Sequence, residues 1–395
     1  MNRNMNVKWR TFLFDILMCS LSSYGGPEAH YGVFSSYLVK KKKYLTEEEL
    51  TEMIGLYAIV PGPSSTQTIT AIGYYVGGPV LAVLTFLVWA LPAILTMSLI
   101  GVFFAVIDGN DGWKPLIEYL PAVAIAFIVY AAISLSRKVV KNKIDIILFI
   151  LMLLLSLFLV KYSMWVVPVL LFSGGLGYVF FYKKDNFQER TETVFKPKWL
   201  ILIFVIGIAL LNEGLRIIFS NDWIMLYSSF YRYGYSVIGG GQIVIPLMIQ
   251  DLVQSQTLIS LNDFLSGYAI DQAIPGPLFS FAGFVSARSF ARTGYSLLAG
   301  LVGAFSIFLP GILLVFFIFP LWHKTRNIPN MKSFLRGVGV TAAALIAMTA
   351  ITSVYSLEID WISYLVVGVS VLLLLSKKIP APLIAIGIAL LGFLV

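Results

Sequence analysis

Apolar positions in this chain gather in long unbroken runs. They lie near 80–107, 120–136, 144–161, 163–181, 199–219, 295–319, 336–356, 361–376 and 380–395. At about 1.5 Å per residue, each is long enough or nearly so to cross a hydrocarbon core of about 30 Å as a helix. The last two are short and leave little room for tilt. Two more segments, 11–39 and 46–78, are apolar enough for a membrane but are interrupted midway by glycine and proline. The pattern predicts an all-α polytopic membrane protein. The one long polar stretch, 183–198, carries Lys183, Lys184, Asp185, Glu189, Arg190, Glu192, Lys196 and Lys198 and reads as a linker.

Composition narrows the class. Of 395 residues, 58% are hydrophobic and 12% charged, about half the charged share of a soluble domain. This excludes an ordinary cytosolic enzyme and a disordered chain, and a single cysteine excludes a disulfide scaffold. The net charge of +8 sits in short loops, where it sets orientation in the bilayer and argues against a nucleic-acid partner. Asp15 interrupts the apolar stretch before Cys19, and Met18 is a poor cleavage-site residue, so no cleaved signal peptide is expected.

The chain repeats itself. Gly25-Gly26 is followed 36 positions later by Pro61-Gly62-Pro63, and Gly239-Gly240 is followed 36 positions later by Pro275-Gly276-Pro277. The same shift of 214 carries Trp9 onto Trp223, Ser22 onto Ser236, Leu38 onto Leu252, Val39 onto Val253, Thr46 onto Ser260 and Glu49 onto Asp263. The last two pairs form a capping signature that opens a helix in each half. The expected division is a first repeat over 1–182, a linker plus one extra helix over 183–222, and a second repeat over 223–395.

Loop charges make the halves inverted. Lys40 to Lys43 correspond to the uncharged Gln-Ser-Gln-Thr of 254–257. The segment 108–118 holds Asp108, Asp111 and Glu118 against Lys114, whereas 323–336 holds Lys324, Arg326, Lys332 and Arg336. Equivalent loops then face opposite sides, and the unmatched span 199–219 supplies the extra crossing that inversion requires. The N-terminus is expected in the cytoplasm and the C-terminus outside. Arg3, Lys8 and Arg10 precede 11–39 and four lysines follow it, which fits a hairpin better than a full span. Either reading leaves Arg288 and Arg292 facing outward against the rule.

A broken helix inside a membrane survives only where protein or water satisfies its freed backbone groups. A helix that restarts there presents unpaired amides and about half a positive charge, a ready anion site. The expected substrate site therefore comprises Gly25, Gly26, Pro61, Gly62, Pro63, Ser64, Ser65, Thr66, Gln67, Gly239, Gly240, Gly241, Gln272, Pro275, Gly276, Pro277 and Ser280. Coupling or gating candidates are the ionisable residues Glu28, His30, Asp271 and Arg288; Asp15, Glu52 and Glu213 lie closer to segment ends. His30 reads equally as a hydrogen-bonded interior residue. With two histidines, no Cys–His pairing and no metal-ligand spacing, neither an enzyme nor a metal or cofactor site is expected.

These four motifs resemble those of the chromate ion transporter family in its two-domain form. The resemblance rests on Gly25-Gly26-Pro27, Pro61-Gly62-Pro63, Gly239-Gly240-Gly241 and Pro275-Gly276-Pro277, with Gln67 after the first Pro-Gly-Pro and Gln272 before the second. The family pattern often has Asn where this chain has Ser64, and a small residue where it has Asp271. The resemblance implies an inner-membrane transporter of oxyanions, chromate first and its isostere sulfate as competitor. The open alternatives are an anion channel or organic-anion carrier on the same scaffold, and an intramembrane enzyme acting on lipid, for which no catalytic dyad is visible. The bilayer and a small oxyanion are the expected partners. A coupling proton or sodium ion and a second copy of the chain stay open.

Overall fold

The computed structural model describes residues 7–58, 60–107, 114–163, 166–181, 199–219, 221–237, 244–291, 293–321, 331–357 and 361–392. Gly239, Gly240 and Gly241, the linker 183–198, Arg3, Asp108, Asp111, Arg292, Lys324, Arg326 and the side chain of Glu28 lie outside the described residues. In chain order the helices are α1 (Trp9–Ser22), α2 (Pro27–Val33), α3 (Glu47–Tyr57), α4 (Ser64–Ile107), α5 (Lys114–Glu118), α6 (Leu120–Val139), α7 (Lys143–Leu159), α8 (Val166–Phe181), α9 (Trp199–Ile218), α10 (Asp222–Ser236), α11 (Val244–Met248), α12 (Leu261–Ala273), α13 (Phe281–Ser289), α14 (Ser296–Ile318), α15 (Met331–Tyr355), α16 (Trp361–Ser376) and α17 (Ala381–Leu391). Among the described residues there is no strand.

Among the described residues, six stretches are long and apolar enough to cross a bilayer: Ser64–Phe104, Pro115–Val139, Lys143–Tyr162, Trp199–Ile218, Ser296–Ile318 and Ser333–Tyr355. The protein is thus an all-α, multi-pass membrane protein. The chain forms two compact units. The first takes Met1–Val102, Gln188–Gly241 and Pro275–Ile328; the second takes Phe103–Phe187, Gln242–Ile274 and Pro329–Val395. Each unit draws on both halves of the sequence, so the units and the sequence repeat divide the chain differently.

In the first unit, α1 has 14 residues and reaches about 21 Å, short of a core about 30 Å thick. Gly25 and Gly26 then take φ of 82° and 88°, a region that side chains disfavour. Pro27 occupies the first position of α2, where its missing amide hydrogen is not needed. A π-helical stretch, Phe34–Lys41, follows. Lys42 Nζ then reaches Asp15 Oδ1 at 2.8 Å, and the Tyr44 hydroxyl donates to Asp15 Oδ2 at 2.6 Å. The segment therefore doubles back at Gly25–Gly26 and ends beside its own beginning.

The next segment turns back too. Thr46 caps α3 through a reciprocal pair with Glu49. After Pro61-Gly62-Pro63, α4 returns along α3, and the Tyr75 hydroxyl donates to Glu49 Oε1 at 2.7 Å. Nor is α4 a single rod. Gly77 and Gly78 are non-helical, Gly73 abuts the Thr85 side chain across this break, and Trp89 Nε1 donates to Thr66 Oγ1 at 3.2 Å. The apolar run 80–107 starts where the chain reverses. Around these hairpins, α14 packs against α9, α10 and α13.

The second unit is built on α15, which packs on α6, α7 and α8, while α12 lies against α6 and α17. Gly174 of α8 and Gly337 of α15 meet so closely that a Cβ at Gly337 would sit 2.6 Å from Tyr178 Cβ. Small residues at such crossings let helices approach where lipid provides no hydrophobic drive. Asp145, fully buried at the start of α7, accepts from Arg336 Nη2 at 2.7 Å and from the amides of Lys141 and Asn142.

Local backbone features recur at the 214-residue shift. Lys43 and Thr257 have φ of 55° and 51°, and Gly62 and Gly276 have φ of 125° and 129°. The Tyr44 amide donates to Leu38 O and the Leu258 amide to Leu252 O, both at 2.9 Å. A second π-helical stretch, Ile249–Ser255, matches the first. Ser260 caps α12 on the Asp263 amide, as Thr46 caps α3 on Glu49.

Candidate functional site

The breaks of the first unit are tied together by backbone bonds. The Gly62 amide donates to Val237 O at 2.8 Å, and the Gly276 amide donates to Ser23 O at 2.9 Å. Each Pro-Gly-Pro turn is thus held by a residue two positions before the glycine motif of the other half. Neither glycine amide is left for a ligand. The space beside each glycine is filled by protein: a Cβ at Gly62 would lie 2.9 Å from Gly311 Cα, and one at Gly276 would lie 2.5 Å from Ala93 Cβ.

At the start of α4 the polar residues converge. Ser64, Ser65, Thr66 and Gln67 are all buried. The first backbone bond of this turn runs from the Gln67 amide to Pro63 O at 2.9 Å, so the amides of Ser64, Ser65 and Thr66 form the open end of the helix. The side chains meet α2 and the returning stretch of α4. His30 Nδ1 lies 3.0 Å from Ser65 Oγ, and the Tyr31 hydroxyl donates to Ser64 Oγ at 3.1 Å. His30 is fully buried, edge-on to Trp89 at 5.2 Å, with the Gly276 backbone also facing its ring. Because an indole N–H can only donate, Thr66 receives from Trp89 and keeps its own hydroxyl hydrogen for another acceptor.

Gln67 is a clamp. Its Nε2 donates to Pro61 O at 2.8 Å and to Gly311 O at 3.1 Å, while Oε1 is buried without a partner among the described residues. It closes the turn at Gly62 and pins it to α14 in one stroke.

The second half is less polar at the matching point. Leu278–Ser280 forms a single 3-10 turn closed by the Ser280 amide on Pro277 O at 2.9 Å, and Phe279 packs against Phe308. Ser280 is buried. Arg288 sits in the last turn of α13, where a cation complements the helix dipole. Asp271 and Gln272, both buried near the end of α12, belong to the second unit.

Two charged clusters had little sequence signal. Asp15, 1% exposed, gathers Tyr37, Tyr44 and Lys42, and its hydrogen bond holds the Lys42 ammonium above its usual range. Arg232, 2% exposed on α10, pairs with Glu213 of α9 at 3.0 Å. A lone arginine in an otherwise uncharged segment between Asp222 and Asp251 was the available clue to the second cluster.

The family model described as "Chromate transporter" matches the chain twice, over residues 10–178 and 224–393. An uncharacterized transporter of Methanocaldococcus jannaschii is 24% identical, covering 100% of this chain and 96% of that protein. A chromate transport protein of Cupriavidus metallidurans is 28% identical over 97% of this chain and 92% of its own length. A chromate transport protein of Pseudomonas aeruginosa is 22% identical over 90% of this chain and 83% of its own. No solved structure matches the chain. With its two matched halves and its long apolar helices, the chain belongs to the chromate transporter family.

Proposed function

We propose that the protein exports a divalent tetrahedral oxyanion across the inner membrane, with chromate as principal substrate and sulfate as competitor. The names of its relatives support chromate. The observation that carries the reading is the start of α4, where three hydroxyl residues, open helix amides and His30 meet in a buried place without a lysine in the turn. Several aligned donors and a helix N-terminus stabilise an anion there without the cost of burying free cations.

The two halves act as inverted repeats, with the N-terminus inside and the C-terminus outside. The reversed loop charges and the backbone features shared at 214 residues support this. An inside-negative potential favours exit by about 2.3 kcal/mol per charge per 100 mV, about twice that for a dianion. Export therefore needs no coupling ion.

The test is uptake of labelled chromate and sulfate by inside-out vesicles with imposed potentials and pH gradients. Saturable uptake driven by an inside-positive potential, with mutual competition between the two anions, is expected. Non-saturating anion currents would make the protein a channel, and indifference to both oxyanions would end the reading.

A further inference from the structure

The Glu213–Arg232 pair lies in a place where charge is costly. Arg232 is ten residues beyond Asp222, the first residue of α10, or about 15 Å along the helix, half the thickness of the hydrocarbon core. Its guanidinium is almost wholly enclosed, whereas the Glu213 side chain is 32% exposed. Nη1 donates to Glu213 Oε1 at 3.0 Å, and Nη2 reaches Ser229 Oγ at 3.5 Å. Replacing a buried ion pair with apolar residues is often neutral or stabilising, so stability alone is a weak reason to keep one.

The location supplies a better reason. Two residues after Arg232, Gly234 abuts the Ile307 carbonyl and the Pro310 ring of α14. Gly311, next along α14, accepts from Gln67 and abuts Pro63. Val237, five residues after Arg232, accepts the Gly62 amide. Arg232 thus lies within one and a half helical turns of the point where the first Pro-Gly-Pro turn is docked.

We propose that Arg232 is an oxyanion-binding residue and that Glu213 is its internal substitute anion, occupying the guanidinium between turnovers and yielding it to the arriving substrate. This deepens the export reading and rests on it. The more exposed partner is the one free to move. When an oxyanion reaches Arg232, two N–H groups of one guanidinium edge can pair with two of its oxygens.

Among the described residues, α10 and α14 pack against α9. From α10, Arg232, Tyr227, Tyr231 and Tyr235 face Glu213 or its neighbours on α9, and α14 carries no titratable side chain. Arg216 is the remaining charge on α9.

The experiment measures sulfate and chromate uptake by purified protein in proteoliposomes at a fixed neutral pH. Glu213→Gln, which lacks the competing carboxylate charge, should bind sulfate about tenfold more tightly than wild type. Arg232→Gln should lose saturable uptake. The double variant Glu213→Gln/Arg232→Gln keeps a neutral hydrogen-bonding pair and should fold, yet remain without saturable uptake. Wild-type affinity in the double variant would make the pair structural and overturn the proposal, as would an unchanged affinity in Glu213→Gln. Wild-type protein showing neither oxyanion uptake nor an oxyanion-dependent shift in melting temperature would overturn both this proposal and the transport reading.

Discussion

The backbone amide of Gly276 donates to the carbonyl of Ser23 across 2.9 Å, joining the second Pro-Gly-Pro turn to the first glycine break. Its counterpart, Gly62 to Val237, does the same in the opposite sense at 2.8 Å. The halves are therefore laced together at their breaks. A turn that must both expose one amide and admit a neighbouring backbone at van der Waals distance has no room for a side chain.

Substitution at these turns should be costly in a graded way. Gly62→Ala meets both a φ of 125° and the Gly311 backbone, and should destabilise by about 3 kcal/mol or more, from strain plus displacement of α14. Gly78→Ala has a φ of 81° but nothing within 4 Å, so only the strain of about 1–2 kcal/mol applies. Thermal unfolding in detergent should rank the variants in that order.

Gln67 ties two carbonyls, that of Gly311 in a buried bond and that of Pro61 in a part-buried one. Gln67→Leu removes the donors to Pro61 O and Gly311 O. The loss should be about 2 kcal/mol, since each buried acceptor left unpaired costs roughly 1–3 kcal/mol and the orphaned Oε1 is removed as well. Gln67→Glu keeps the volume but turns an acceptor toward both carbonyls, and should be less stable than the leucine variant. Melting temperatures of the purified variants decide it.

Ser65 joins the helix start to His30. Ser65→Ala should weaken oxyanion affinity about tenfold, the loss of one charge-assisted hydrogen bond, with a small fall in melting temperature from the imidazole left short of a partner. Dose dependence of labelled sulfate uptake measures the first effect and thermal unfolding the second. Wild-type affinity in a stable Ser65→Ala protein would put the anion elsewhere in the fold.

Orientation can be read at two exposed positions 214 residues apart, Lys41 and Ser255, each near the end of a π-helical stretch. Lys41→Cys and Ser255→Cys should react with an impermeant thiol reagent from opposite faces of the membrane. Cys19 is buried and should stay silent, so its removal is unnecessary. Labelling from one face at both sites would refute the inverted arrangement.

The parts of this protein legible in its sequence are those governed by short-range backbone chemistry. Proline cannot supply an amide to a helix, and glycine alone tolerates positive φ cheaply, so the reversals at Gly25–Gly26 and Gly62 follow from residue type. The Thr46–Glu49 cap needs only a side chain and an amide three residues apart. The membrane spans follow from apolar length. The pairing of Gln67 with Gly311 has a separation of 244 residues and no local signature. Neither does the meeting of Arg232 with Glu213, because an ion pair between helices depends on which faces pack, not on spacing. Residue type alone does not say which acceptor the Gly62 and Gly276 amides find; the tertiary structure gives each a carbonyl of the other half, since buried amides must find acceptors. Residue type decided where the chain breaks, and packing decided what each break holds.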